Sequence, residues 1–393
     1  MKKTTLKPVC AEPCPKLHPL EFRNFGTVDV PWYEPGVAVL PDGTWLATLQ
    51  ELRGSDYTGS PCFSFSKDQG STWTPPAEIG GFRTEPLDGT DFRCAVMDIR
   101  PFVSPNDGTA FVFGCTAYFS PKGNELWKKG ERPPVLPFEV GLYCTWRPET
   151  SWSSRKVLPL PDFCGNYRTA ATQLAFVPDS DEVLIPIYLE RGKTDFAGFE
   201  SDRYAVVIAR YRQNGEELEY MSRSDFIEHP TGRGLIEPSV VALPEGGFAL
   251  TMRAEDGCGY VSVSPDGSEW ADKKPWSWPD GTPLEMSSTQ QHWMRIGAKV
   301  YLVYTRNDGE NSSIMRFRAP LYMAEAIPAK GILLRETEKV VFPRQLIDGV
   351  EALYGNFHCA QLTGETALVT DSALRWQDGA KPKCIVMATL VAP

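Results

Sequence analysis

The sequence predicts an all-β fold, a six-bladed β-propeller of four-stranded antiparallel blades, on three observations. One kind of turn returns six times along the 393 residues. A second kind of turn follows it in several of the repeats. The 34 Pro and 33 Gly are spread along the chain, and no interior window keeps a helical period for the length a helical domain needs. A chain longer than roughly 250–300 residues outgrows a single core, so a repeat architecture also answers the length.

The marker turn is LPDG at 40–43, between the strand-like runs GVAVL and TWLATLQ. It returns as SPNDG at 104–108, VPDSD at 177–181, LPEGG at 243–247, RIGAK at 295–299 and LTGE at 362–365. With Pro41, Pro105, Pro178, Pro244, Ile296 and Thr363 as markers, the intervals are 64, 73, 66, 52 and 67 residues. The second turn is SFSKDQGSTW, ending at Trp73, where Asp68 and Gly70 supply turn chemistry and Trp73 an apolar plug. It shortens to SPDGSEW at 264–270 and degrades to TWRPETSW at 145–152. Both turns are read as structural. Radial repetition of such units leaves only short, protected edges.

The predicted organisation is a Pro- and Cys-containing N-terminal leader over 1–29, packed on one propeller over 30–393. Its blades span 30–90, 91–163, 164–232, 233–284, 285–345 and 346–393, the last completed by N-terminal residues. Cys10, Cys14 and His18 in the leader fit no common metal-ligand spacing, and the ten cysteines are irregularly placed, as buried thiols rather than a disulfide framework. No metal and no cofactor is expected.

A net charge of −10 and a pI near 5.1 exclude the basic stripe that a nucleic-acid or anionic-membrane partner requires. MKKTTLKPVCAEPC has lysines but no apolar h-region, and no run of about 18 apolar residues occurs, so a cytoplasmic location is expected. A homo-oligomer is compatible with the composition.

In a blade the inner hairpin starts and ends on the same face, so residues just before and well after each marker turn gather at one mouth of the central channel. Before the turns stand Glu34, Asp98 with Arg100, Gln173, Glu237, Gln290 with Gln291 and His292, and Asn356 with His358. After them stand Glu51, Arg53 and Asp56; Tyr118; Tyr188 and Glu190; Arg253 and Asp256; Arg306 and Asp308; and Asp371 and Arg375. Solvated strand tips are the plain reading of such a set. Converging arginines and carboxylates are the functional one, a basin for a polar anionic ligand, because the guanidinium fork matches a carboxylate.

At these residues the chain resembles the sialidase (neuraminidase) superfamily, bacterial sialidase-like proteins with Asp-box (BNR) repeats, over about Trp32 to Thr389. The turn ending at Trp73 resembles an Asp box. LATLQELRGSDYTGS resembles the segment with a strand-end Arg and the acid/base Asp, implying roles for Arg53 and Asp56. GLIEPSVVALPEGGFALTMR resembles the segment with the Glu of the nucleophile pair and one triad arginine, implying Glu237 and Arg253. YGNFHCAQL resembles the segment of the nucleophilic tyrosine, implying Tyr354. STQQHW, VYTR and FRAPLYMAE resemble a branch of bacterial sialidase-like proteins and imply Gln291, His292, Arg306 and Arg318 near the pocket.

The chain departs from the family on the first strand. Where sialidases have Arg-Ile-Pro it has Tyr33-Glu34-Pro35, so a carboxylate, Glu34, replaces the first triad arginine and Arg100 in DIRP is the candidate substitute. Glu34 would then bind sugar hydroxyls or activate water directly, which implies inversion, and His292 offers a second acid/base centre.

The resemblance implies an exo-acting glycoside hydrolase that removes a terminal acidic sugar, sialic acid first, from a glycan. The catalytic set is Asp56, Glu237, Tyr354 and His292, and the substrate-binding set is Glu34, Arg53, Arg100, Arg253, Gln291, Arg306 and Arg318. Two alternatives stay open: a uronate-directed lyase with His292 or Tyr354 as base, and a non-catalytic glycan-binding propeller.

Overall fold

A computed structural model describes residues 14–23, 25, 30–121, 123, 136–196, 199–286, 288–377 and 379–393. Cys10 lies outside them, as do the other leader residues before Cys14.

Among the described residues six antiparallel blade sheets succeed one another in chain order, with a separate two-stranded ladder of Leu346–Ile347 and Val350–Glu351. The first three strands of blade 1 are Trp32–Val39, Trp45–Gly54 and Cys62–Ser66, and those of blade 2 are Arg93–Val103, Ala110–Phe119 and Gly141–Arg147. Blade 3 begins with the short segments Tyr167–Arg168 and Ala175–Phe176, followed by Glu182–Phe196, Phe199–Asn214 and Glu217–Arg223. Blade 4 runs through Ile236–Ala242, Phe248–Arg253 and Gly259–Ser264, and blade 5 through His292–Ile296, Lys299–Tyr304 and Leu321–Ile327. Blade 6 is His358–Gln361, Ala367–Arg375 and Lys383–Ala392, completed on its outer edge by the N-terminal strand Lys16–Leu20. That strand pairs antiparallel with the last one, Lys16 opposite Ala392 and Leu20 opposite Ala388.

The core lies between blades. Trp45, Leu49 and Val37 of blade 1 pack with Leu368 and Ala388 of blade 6. Phe113 and Tyr143 of blade 2 pack with Ile187 and Val207 of blade 3, Tyr188 of blade 3 with Leu250 of blade 4, and Trp276 of blade 4 with Trp293 of blade 5. Each sheet is therefore apolar on both faces, and every blade needs two neighbours to bury them, which closes the ring.

The turns form as their residues dictate. Gly43 N–H donates to Leu40 O at 2.9 Å, and Gly246 N–H to Leu243 O at 3.0 Å. In the second turn Asp68 Oδ1 accepts from Ser66 Oγ and Thr72 N–H, each at 2.8 Å, and Trp73 Nε1 donates to Gly70 O at 2.8 Å. Gly70 sits at φ +86°, and a Cβ there would lie 2.8 Å from Phe22, so the position requires glycine. Trp73 is buried against Phe22 and Phe25, ring centroids 5.0 and 4.9 Å away. Trp73→Ala is expected to lower unfolding free energy by about 3–5 kcal/mol in a denaturant titration, with ligand affinity unchanged.

No helix among the described residues is long and apolar enough to cross a membrane.

Candidate functional site

The inner strands of blades 1, 2 and 4 each lose register once, between Tyr33 and Gly36, Met97 and Arg100, and Ile236 and Ser239. Inside each bulge one acidic residue takes a left-handed backbone: Glu34 at φ 53°, Asp98 at 53° and Glu237 at 48°. Each stands seven residues before its marker proline. A bulge re-aims a side chain, and holding a non-glycine residue at positive φ costs of order 1–3 kcal/mol, so strain is concentrated at one mouth of the propeller. Ala171 takes the same conformation at the equivalent place in blade 3.

Blades 1 and 2 make the acidic side. Glu34 and Asp98 are joined by a carboxyl–carboxyl hydrogen bond. Burial pushes both above the usual carboxylate range; the Asp98 charge adds to the rise at Glu34, while Arg100 opposes it at both. The pair therefore retains a proton that isolated carboxylates would lose. Arg100, fully buried, donates from Nη1 to Glu34 Oε2 at 3.4 Å and Ile99 O at 2.9 Å, and from Nη2 to Gln290 Oε1 at 3.2 Å. Asp56, exposed at φ 50° on the turn after Trp45–Gly54, is close enough to act on Asp98 and on the Tyr33 hydroxyl. Tyr33 hydrogen-bonds Asn356 of blade 6, and burial followed by the Glu34 charge pushes its hydroxyl well above the usual range.

Blades 4 and 5 make the basic side. Arg253 donates from Nη1 to Glu237 Oε1 at 2.5 Å and from Nε to Ser288 Oγ at 3.1 Å. Burial alone would raise the Glu237 carboxyl, but the Arg253 charge and hydrogen bond, helped by Arg233 and Arg318, hold it below its ordinary value. Arg233 is itself forked onto Glu255, at 2.8 and 2.6 Å. Arg316, exposed on the turn Met315–Phe317 yet partly desolvated by its neighbours, is brought down to about 10 by that desolvation and then by Arg253, Arg318 and Arg233. Arg318 lies beside Gly355 with its buried Nε unpartnered. Positive charge here exceeds what Glu237 neutralises.

Beneath the basin runs a buried polar column. His292 Nε2–H donates to Gln290 Oε1 and its Nδ1 accepts from Ser239 Oγ, both at 2.7 Å. Burial, then Arg100 and His358, pushes His292 well below the ordinary histidine value, so it is neutral. His358 accepts from Val37 N–H at 3.3 Å and is lowered to about 3 by burial and Arg100. Asp371 accepts from Gly355 N–H at 2.9 Å and Ser372 N–H at 2.7 Å, yet burial outweighs both and lifts it to about 7. A carboxyl raised when folded favours the native state below its unfolded value of 3.8, and that contribution disappears as pH rises through 7. Asp371→Asn removes this titration. The unmodified protein is expected to lose about 4 kcal/mol more than the variant between pH 4 and pH 8, read from paired denaturation curves.

The structure thus brings Glu34, Asp56, Arg100, Glu237, Arg253 and Arg318 to one mouth, while the other residues singled out in the sequence are engaged elsewhere. Tyr354 is 1% exposed within an apolar cluster, and its hydroxyl donates to Pro343 O at 2.8 Å. Arg306 is forked onto Glu338 at 2.8 and 2.6 Å and lies over the Tyr322 ring. Arg53 pairs at 2.8 Å with Glu51 on its own strand. Gln291 is buried, accepting from Thr251 Oγ1 at 2.5 Å, and His292 belongs to the column. The sequence marks Asp98 only as a polar strand end beside Arg100, and it does not mark Arg316. The common seven-residue offset was the available signal for Asp98; nothing comparable marks Arg316. Among the described residues no group of three or more His, Cys, Asp or Glu is arranged to hold a metal.

No family model matches the chain, and no curated protein matches it in sequence. Solved structures do match in shape. A Dyadobacter fermentans protein of unknown function aligns with TM-score 0.60 and 15% identity over 94% of this chain and 96% of that one. A Trypanosoma rangeli sialidase in complex with sialic acid aligns with TM-score 0.58 and 14% identity over 96% of this chain and 59% of that one. An intramolecular trans-sialidase from Ruminococcus gnavus, in complex with oseltamivir carboxylate, aligns with TM-score 0.55 and 12% identity over 90% and 94%. At such identities the likeness is one of fold, and the fold of this chain is the sialidase-like six-bladed propeller.

Proposed function

We propose that this chain is an exo-acting glycoside hydrolase of sialidase type that removes a terminal acidic sugar, sialic acid first among them, from a glycan. The observation that carries the reading is the surplus of positive charge around Glu237. Arg253 pairs with Glu237 while Arg233 and Arg318 also act on that one carboxylate, and the buried Arg318 Nε has no hydrogen-bond partner among the described residues, an opening that a bound carboxylate fills.

The opposite side of the basin supplies proton transfer. An anomeric carbon that bears a carboxylate repels an anionic nucleophile, so the attacking group must arrive neutral. With the Tyr354 hydroxyl held by Pro343 O, we assign attack to water, deprotonated by the Asp98 member of the carboxyl pair, with Asp56 protonating the leaving oxygen. Direct displacement by water inverts the anomeric centre. Glu34 and Arg100 act as positioning residues for Asp98. Neither step calls for a metal or an organic cofactor.

The same Tyr354 contact favours a second reading, a glycan-binding propeller without turnover. The lyase alternative is weakened by His292, which is enclosed between Ser239 and Gln290. Parallel assays of the full chain on sialosides and uronosides separate the three. Release of free acidic sugar supports hydrolysis, a product absorbing in the near ultraviolet supports elimination, and saturable binding with no product supports the binding module.

A further inference from the structure

Blades 1, 2 and 4 each carry an acid seven residues before the marker turn, whereas blade 5 carries Thr289 there, followed by Gln290. From this blade the centre of the ring receives a neutral amide instead of another carboxylate. Both ends of that amide are engaged. Gln290 Oε1 accepts from Arg100 Nη2 at 3.2 Å and from His292 Nε2–H at 2.7 Å, while Gln290 Nε2 donates to Gly355 O at 2.9 Å. Turning the amide over would set its two N–H bonds against donors and its oxygen against a carbonyl, so its neighbours allow one orientation.

The histidine is fixed in the same way. Because Gln290 Oε1 can only accept, the imidazole proton sits on Nε2, and Nδ1 takes the Ser239 hydroxyl at 2.7 Å. Ser239, Gln290 and His292 are all buried, and Phe357 meets the imidazole edge-on with ring centroids 5.1 Å apart. Arg100, by contrast, is stretched between two acceptors. Its Nη1 stands 3.4 Å from Glu34 Oε2 and its Nη2 3.2 Å from Gln290 Oε1, both longer than the roughly 2.7–2.9 Å of a guanidinium fully engaged with a carboxylate. Among the described residues, Glu34 and Gln290 supply its only side-chain acceptors.

We propose that Gln290, locked by His292 and Ser239, is a positioning residue that holds the Arg100 guanidinium back from Glu34 and so keeps the shared proton on the Glu34–Asp98 pair. Its use in catalysis rests on the hydrolase reading above, in which His292 then serves as a prop for the amide and not as an acid or base. The other groups that act on the pair or its near neighbours are Asp56 and Tyr33 of blade 1, Cys115 of blade 2, Tyr188 of blade 3 and Glu237 of blade 4. Around Arg100 stand His292, His358, Cys359 and Asp371. None of these is altered by a change confined to the Gln290 amide.

Gln290→Met removes the acceptor at nearly constant size. Arg100 then closes on Glu34, the charged form of the pair gains, and the proton should leave at lower pH. Infrared titration of the full chain, following the C=O stretch of the protonated carboxyls with Asp98→Asn to assign the band, is expected to show the midpoint falling by about one pH unit. The double variant Gln290→Met with His292→Phe also removes the orphaned imidazole N–H, and is expected to give the same fall with a Tm nearer that of the unmodified chain. A midpoint within about 0.3 unit of the unmodified chain in the double variant, or one that rises, overturns the inference whatever the Tm does. On a sialoside the acidic limb of kcat/KM should move down with the midpoint. If the unmodified chain cleaves no glycoside, the hydrolase reading falls alone, and the infrared midpoint still decides whether Gln290 holds Arg100.

Discussion

Arg253→Ala is expected to reduce kcat/KM on a sialoside by about three orders of magnitude, with most of the loss expressed as weaker binding of acidic ligands. Two effects combine. The substrate carboxylate loses a charge-assisted fork, and Glu237 loses the partner 2.5 Å away that holds its carboxyl below the ordinary value in a buried setting. Removing one member of a buried ion pair costs about 3–5 kcal/mol, because the other is left uncompensated. Glu237 should respond by taking up a proton, so part of the damage is recovered at lower pH, where a neutral carboxyl no longer needs its guanidinium. Arg253→Lys keeps the charge and loses the fork, and should fall between the two. Steady-state kinetics across pH with a thermal melt of each variant separate lost binding from lost folding. Normal turnover in the alanine variant would place the pocket elsewhere.

Asp98→Asn is the second large effect. If Asp98 takes the proton from water, the substitution should lower kcat by about 10²- to 10⁴-fold while leaving the affinity for free acidic sugar nearly unchanged, because the arginine side is untouched. The sign of the pH dependence follows from the shift. Burial raises the Asp98 carboxyl above its ordinary value, so the protonated, inactive form persists to higher pH than for a solvated aspartate. The acidic limb of the rate profile should therefore lie above the usual carboxylate range and disappear in the variant. Early-time NMR of the released sugar provides a separate check. Net inversion agrees with water as nucleophile, and retention would return attention to a tyrosine.

The propeller was legible because its signals are local and repeated. The turns at Pro41, Pro105, Pro178 and Pro244 each need only four or five residues to declare themselves, and repetition multiplies weak evidence. The mouth at which the strand-end carboxylates and arginines gather could be read from strand polarity alone. Which side chains enter the basin could not, because strand alternation fails where it matters. Glu34, Asp98 and Glu237 enter through bulges, and a bulge shifts the alternation by one residue without altering composition. Tyr354 shows the opposite problem. Its segment resembles one carrying a nucleophile, yet the Pro343 carbonyl takes its hydroxyl, a contact that local sequence does not encode. Arg306 and Arg53 were visible as charges, but their partners Glu338 and Glu51 were not assigned to them, and a guanidinium forked onto a carboxylate is no longer free for a ligand.

The strand Lys16–Leu20 lies along the last strand in a particular sense, with Lys16 and Ala392 facing each other at one end of the ladder. Tension applied between those two residues loads the first rung alone, then the next, so the five pairs part in sequence like a zip instead of resisting together in shear. A pull of modest force should peel this seam open, exposing the edge of Lys383–Ala392, well before any blade is torn from its neighbour.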